Sequence, residues 1–106
     1  GEEFAVILRG DIAEKAVGFA EHLRKVVADT ALLLRDANDN VLTQGLRLTV
    51  SVGVASLWSG WYGAYQTNLV DCADKALYHG KRAGRNCTFL YTPESQNSYS
   101  RITPEE

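Results

Sequence analysis

The stretch Leu46-Arg47-Leu48-Thr49-Val50-Ser51-Val52-Gly53-Val54-Ala55 decides the fold. Leu46, Leu48, Val50, Val52 and Val54 alternate with Arg47, Thr49, Ser51, Gly53 and Ala55, which is the period of a strand with one apolar face. The second face shrinks to Ser51, Gly53 and Ala55. Side chains this small suit a place where a helix or a ligand comes close to the strand backbone.

On the C-terminal side, Thr67 or Asn68 is placed to cap a helix that turns Leu69, Ala73, Ala76 and Leu77 inward, and Gly84 is placed to end it. Thr88-Phe89-Leu90-Tyr91 then reads as a short closing strand. Beyond Pro93 only Tyr99 and Ile102 are large apolar residues, so 92–106 is expected to be a flexible tail. On the N-terminal side, Asp36-Ala37-Asn38-Asp39-Asn40 is a turn between a short apolar segment and Val41-Leu42. Residues 11–29 carry a helical period: Ile12, Ala16, Phe19, Ala20, Leu23 and Val27 form a stripe, with Glu14, Glu21, Arg24 and Lys25 off it. Asp11 and Glu14 have the spacing of a capping box. Phe4-Ala5-Val6-Ile7-Leu8 is an unbroken apolar run, the pattern of a central strand buried on both faces. The order of elements predicts an α/β fold of the α+β sandwich kind, with helices packed on a mainly antiparallel sheet.

With 106 residues the chain makes at most one domain, and 45% hydrophobic with 23% charged residues excludes a wholly disordered one. Eleven Lys+Arg against 13 Asp+Glu argue against a surface that holds nucleic acid or membrane by bulk charge. No apolar run approaches the roughly 20 residues of a membrane span. Cys72 and Cys87 have no metal-ligand spacing and are expected as buried free thiols. Beginning at Gly1 with a core-like segment immediately after it, the sequence reads as a piece of something longer.

Two clusters carry chemistry. Glu2 and Glu3 precede the apolar run, and successive side chains of an extended segment point to opposite faces, so only one of them faces a given site. A carboxylate at a strand end beside a Gly turn is a natural Mg2+ ligand, although four residues taken alone are explained more simply by a solvated acidic strand end. Lys75, Lys81, Arg82 and Arg85 place four of the 11 basic residues within eleven positions around one helix end. Offsetting the negative end of the helix dipole accounts for such charge without a ligand. It does not account for Gly84-Arg85-Asn86, where the turn can redirect Arg85 so that Lys81 and Arg85 serve one phosphate group, as point charge and as fork.

These residues also carry a resemblance. Gly1-Glu2-Glu3-Phe4 looks like the last four letters of the GG(D/E)EF signature of diguanylate cyclases, and 48–55 resembles the family's "TVSIGVA" strand. Residues 73–86, ADKALYHGKRAGRN, are similar to its "ADKALYxAKxxGRN" segment. The resemblance covers 1–91 and implies the C-terminal part of a GGDEF domain, with the palm-like fold shared by nucleotide polymerases and class III adenylyl cyclases. It implies condensation of two GTP into cyclic di-GMP with release of pyrophosphate, Mg2+ as cofactor, and a homodimer in which each half presents one GTP. By position, Glu2 matches a metal ligand and the base for the 3′-hydroxyl, and Glu3 a second candidate metal ligand. Gly1 matches the glycine close to the phosphates, and Lys81 and Arg85 match the pair that holds the β- and γ-phosphates.

The resemblance further implies a bacterial cytoplasmic protein with a sensor or receiver domain upstream. The family's other metal-binding Asp, its guanine-reading Asn and Asp, and its Arg-x-x-Asp inhibitory site belong upstream of these 106 residues. The chain alone is therefore expected to be inactive, with an unpaired strand edge at 4–8 that favours association. His22 stands where an "AERIR"-like stretch often has a product-binding arginine, and is expected as a surface residue. A regulatory GGDEF module that binds nucleotide or a protein partner without making product is the alternative. The Gly/aromatic loop Trp58 to Tyr65, with four of the ten aromatics, raises a third reading as an RNA-stacking surface, against which the acidic balance weighs.

Overall fold

The computed structural model describes residues 3–9, 15–56, 66–92 and 98–102. Its elements are α1 (Ala16–Asp29), β1 (Leu32–Arg35), β2 (Val41–Leu46), β3 (Val52–Val54), α2 (Gln66–Arg82), β4 (Thr88–Thr92) and β5 (Ser98–Arg101). The chain is α+β, as its pattern of elements predicts. β1 and β2 form an antiparallel hairpin, and a second sheet has the order β3-β4-β5.

Gly53 sets the distance between β3 and α2. A Cβ there would overlap the carbonyl oxygen of Ala73 and the amide nitrogen of Leu77, both backbone atoms of α2. The small-residue face of the strand is thus where a helix lies on it. Because α2 connects β3 to β4, the two strands run parallel, with Val52 opposite Thr88 and Val54 opposite Leu90. β4 and β5 are antiparallel, as are β1 and β2, so two of the three described pairings are antiparallel. The core lies between this sheet and α2: Ala76 is fully buried, and Cys72 and Tyr91 pack with it. Cys72 and Cys87 are both buried free thiols.

The hairpin turn falls where the Asp/Asn cluster places it. Asp36 Oδ1 accepts the N–H groups of Asn38 and Asn40 at 2.9 Å each, and Asp39 takes a φ of 67°. These bonds hold the Asp36 carboxyl below its usual range, the backbone N–H of Asn40 contributing most.

Three expectations are corrected. Phe4–Leu8 is not a buried central strand: it forms no ladder with the described residues, and Phe4 and Ile7 are 88% and 82% exposed. A strand needs a partner edge, and an apolar run names none. The alternating run 46–55 is split, with Leu46 ending β2, Val52 beginning β3, and 47–51 in no ladder between them. Only the ends of the run find partner strands, so Leu48 stays exposed while Val54 is buried. Thr88–Thr92 is the middle strand of its sheet rather than a closing one, because Ser98–Arg101, in the segment read as a tail, pairs with it. Tyr99 holds that strand down by stacking on His79 of α2, ring centres 4.1 Å apart.

Candidate functional site

α2 ends in a tight reversal. The N–H of Arg85 donates to the carbonyl of Gly80 at 3.0 Å, the six-residue bond of a Schellman motif with Gly84 at its left-handed position. Gly84, Arg85 and Asn86 have φ values of 116°, 65° and 50°. Gly84 takes this at no steric cost and Asn86 tolerates it, but Arg85 carries strain of about 1–2 kcal/mol.

Contacts from the start of β3 and from α1 fix this turn. The Asn86 N–H donates to Ser51 Oγ at 3.1 Å, and the Val52 N–H donates to the carbonyl of Cys87 at 2.9 Å. From α1, Arg24 Nη1 donates to Asn86 Oδ1 at 3.0 Å and to its carbonyl oxygen at 3.4 Å. The rest of the Arg24 fork binds Glu21, Nε to Oε2 at 2.6 Å and Nη2 to Oε1 at 3.2 Å. Thr88 Oγ1, fully buried, donates to the same Glu21 Oε2 at 2.7 Å. The Arg24 fork and, less strongly, the Thr88 hydroxyl hold the Glu21 carboxyl below its usual range, against burial, which pushes it up. Glu21 in turn raises the Arg24 guanidinium.

By sequence, Glu21 and Arg24 lie off the apolar stripe of α1, where charged side chains are ordinarily solvated. Instead they are buried beside Ala20, while Phe19 and Leu23 of the apolar stripe remain partly exposed. The available signal was opposite charges three residues apart, directly after the small Ala20.

The fold brings the acidic and basic clusters together. Glu3 Oε1 lies 3.4 Å from Lys81 Nζ across 78 positions of sequence, and both side chains are accessible. Gly1 and Glu2 lie outside the described residues. Lys75, Lys81, Arg82 and Arg85 divide by contact. Lys75 pairs with Asp71 at 3.2 Å, which raises its ammonium. Arg82 donates to the Tyr78 hydroxyl at 2.9 Å and lies over its ring. Both contacts run i,i+4 along the helix surface. Lys81 reaches across the fold instead, and the exposed Arg85 side chain forms no ion pair or hydrogen bond with the described residues. Of these four, Lys81 and Arg85 are thus the two not tied to a neighbour on their own helix.

Glu3 offers the hard oxygen donors that suit Mg2+, an ion that leaves most of its coordination to water and phosphate. No group of three or more His, Cys, Asp or Glu side chains gathers among the described residues. His22 is exposed, as expected. The Trp58 to Tyr65 loop lies outside the described residues, and among those described no helix is long and apolar enough to cross a membrane.

Comparison with known proteins matches residues 1–87 to the family described as diguanylate cyclase, GGDEF domain. Diguanylate cyclase A of Treponema denticola is 37% identical over 86 residues, covering 81% of this chain and 21% of that protein. The uncharacterized protein YhcK of Bacillus subtilis is 34% identical over 86 residues, covering 81% of this chain and 22% of that protein. The chain spans about a fifth of the length of these curated relatives.

Proposed function

This chain belongs to the diguanylate cyclase GGDEF domain family, and from that premise we propose that it forms the phosphate-holding part of a domain that condenses two GTP into cyclic di-GMP. Lys81 as a point charge and Arg85 as a fork hold the β- and γ-phosphates. Gly1 lets the backbone pass close to them. Glu2 accepts the proton of the 3′-hydroxyl as that oxygen bonds to the α-phosphorus of the other nucleotide and pyrophosphate leaves. Glu2 and Glu3 would hold Mg2+, which when bound offsets the negative charge of the reacting phosphates. Two copies of the domain face each other, one GTP on each. The longer protein carries a sensor or receiver domain upstream and works in the bacterial cytoplasm.

The observation that carries this reading is the meeting of Glu3 and Lys81 at 3.4 Å beside a turn that presents an exposed Arg85, which has no ion pair or hydrogen bond with the described residues. Calorimetric titration of Mg-GTP, with mass spectrometry of the same samples for cyclic di-GMP, tests it. Binding is expected to weaken at least tenfold in Lys81→Ala and in Arg85→Ala, the loss of a charge-assisted bond of roughly 1.5–3 kcal/mol. The 106 residues by themselves are expected to bind without turnover, since Glu2 and Glu3 are the carboxylates they bring to the metal. Binding indifferent to both substitutions refutes the phosphate role, and product formation refutes the expected lack of turnover.

A further inference from the structure

A non-glycine residue at positive φ persists only where its surroundings over-determine it. For Arg85 the restraint comes from a different element. Arg24 of α1 grips the next residue, Asn86, through both its side-chain and main-chain oxygens. Arg24 is itself gripped by Glu21, and Glu21 is tied to β4 by Thr88. The relay Thr88–Glu21–Arg24–Asn86 thus ends one residue from the guanidinium offered to phosphate. Nε, Nη1 and Nη2 of Arg24 are all engaged inside the protein, so this arginine, though basic and near the site, is not itself a phosphate ligand.

We propose that Arg24 is a positioning residue for the nucleotide: by pinning Asn86 it holds the left-handed turn that aims Arg85 at the β- and γ-phosphates of GTP. The proposal rests on the phosphate role of Arg85 given above. It separates Arg24 from an ordinary buried ion-pair residue, because its effect on binding must pass through Arg85.

A double-mutant cycle on the full chain isolates that path. Mg-GTP affinity is measured by calorimetry for the wild type, Arg24→Lys, Arg85→Ala and the double variant. Lysine keeps the charge but cannot bridge Glu21 and Asn86 with a planar fork. Arg24→Lys is expected to weaken binding by roughly threefold to thirtyfold, the range for a residue that acts through a network. In the Arg85→Ala background the same substitution is expected to change nothing. Asn86→Gly, which accepts the positive φ but lacks the Oδ1 acceptor, is expected to give the same pattern and carries the test if Arg24→Lys does not fold. Equal weakening by Arg24→Lys in both backgrounds overturns the proposal in favour of a general structural role. Weakening by Arg85→Ala but not by Arg24→Lys or Asn86→Gly overturns it while leaving the phosphate reading intact. An Arg85→Ala variant that binds as tightly as the wild type overturns the phosphate reading, and the proposal with it.

Discussion

Glu21→Gln keeps the shape of a buried side chain and removes its charge. In the wild type that carboxylate receives two donors from Arg24, at 2.6 and 3.2 Å, and one from Thr88 at 2.7 Å. Both charged side chains are only about a tenth exposed, 10% for Arg24 and 11% for Glu21, so solvent screens the pair weakly. A glutamine offers one acceptor oxygen where the carboxylate offered two, and its amide would point N–H at N–H toward the guanidinium. Arg24 would keep its charge in a buried place without a counter-charge. Breaking a buried pair from one side costs about 3–5 kcal/mol, and beneath the thin cover of so small a domain the low end, about 3 kcal/mol, is expected.

For a domain this size that corresponds to a fall in Tm of roughly 12–24 °C. Urea unfolding followed by circular dichroism should show a lower midpoint with an unchanged slope, the signature of lost stability without a change in the unfolded state. The pH dependence has a definite sign. Arg24 holds the folded Glu21 carboxyl below its ordinary value of 4.5, so the pair's stabilisation is fully present above that pH. It is lost as pH falls through the lowered folded value. The gap between wild type and Glu21→Gln should therefore be constant from pH 7 to 5 and close in more acidic solution. A gap under about 1 kcal/mol at pH 7, the size of an exposed pair, would refute the assignment of Glu21–Arg24 as a buried clamp. So would a gap that persists unchanged at pH 3.

Gly53→Ala should destabilise the fold by about 1–3 kcal/mol, because the new methyl meets backbone of α2 that no rotamer change can move aside; an unchanged Tm would contradict the close approach. Gly84→Ala should cost about 1–2 kcal/mol for a different reason, the strain of a positive φ, since a Cβ there meets no atom within 4 Å. A loss beyond about 3 kcal/mol in thermal melts would show that sterics rather than backbone conformation govern the site. The exposed run at Phe4, Val6 and Ile7 should make the isolated chain associate as concentration rises. Sedimentation velocity should register this, with Ile7→Lys reducing it; a monomer at every concentration would count against an open apolar edge.

The sequence by itself determined the features written in neighbouring residues. The Asp36–Asn40 turn, the α2 stop at Gly84 and the helix-facing small residues around Gly53 follow from side-chain chemistry that acts within a few positions. The α+β class followed as well, since it rests on the order of periodic segments. Lys81 and Arg85 were legible as a pair because one helix end and its glycine bring them together.

Tertiary structure decided which segments have partners. Periodicity states which face of a strand or helix is apolar, but it carries no information about what lies opposite. Phe4–Leu8 has the composition of a central strand and is exposed, while Ser98–Arg101 has almost none of it and is paired, because Tyr99 finds His79 on α2. Glu21 and Arg24 lie off the apolar stripe of α1, yet they are buried, because Thr88 brings a donor to the carboxylate and Asn86, 62 positions beyond Arg24, brings acceptors to the part of the guanidinium that Glu21 leaves open. A buried charge is tolerable only when its partners arrive with it, and partners brought by folding from distant sequence leave no mark on the local pattern.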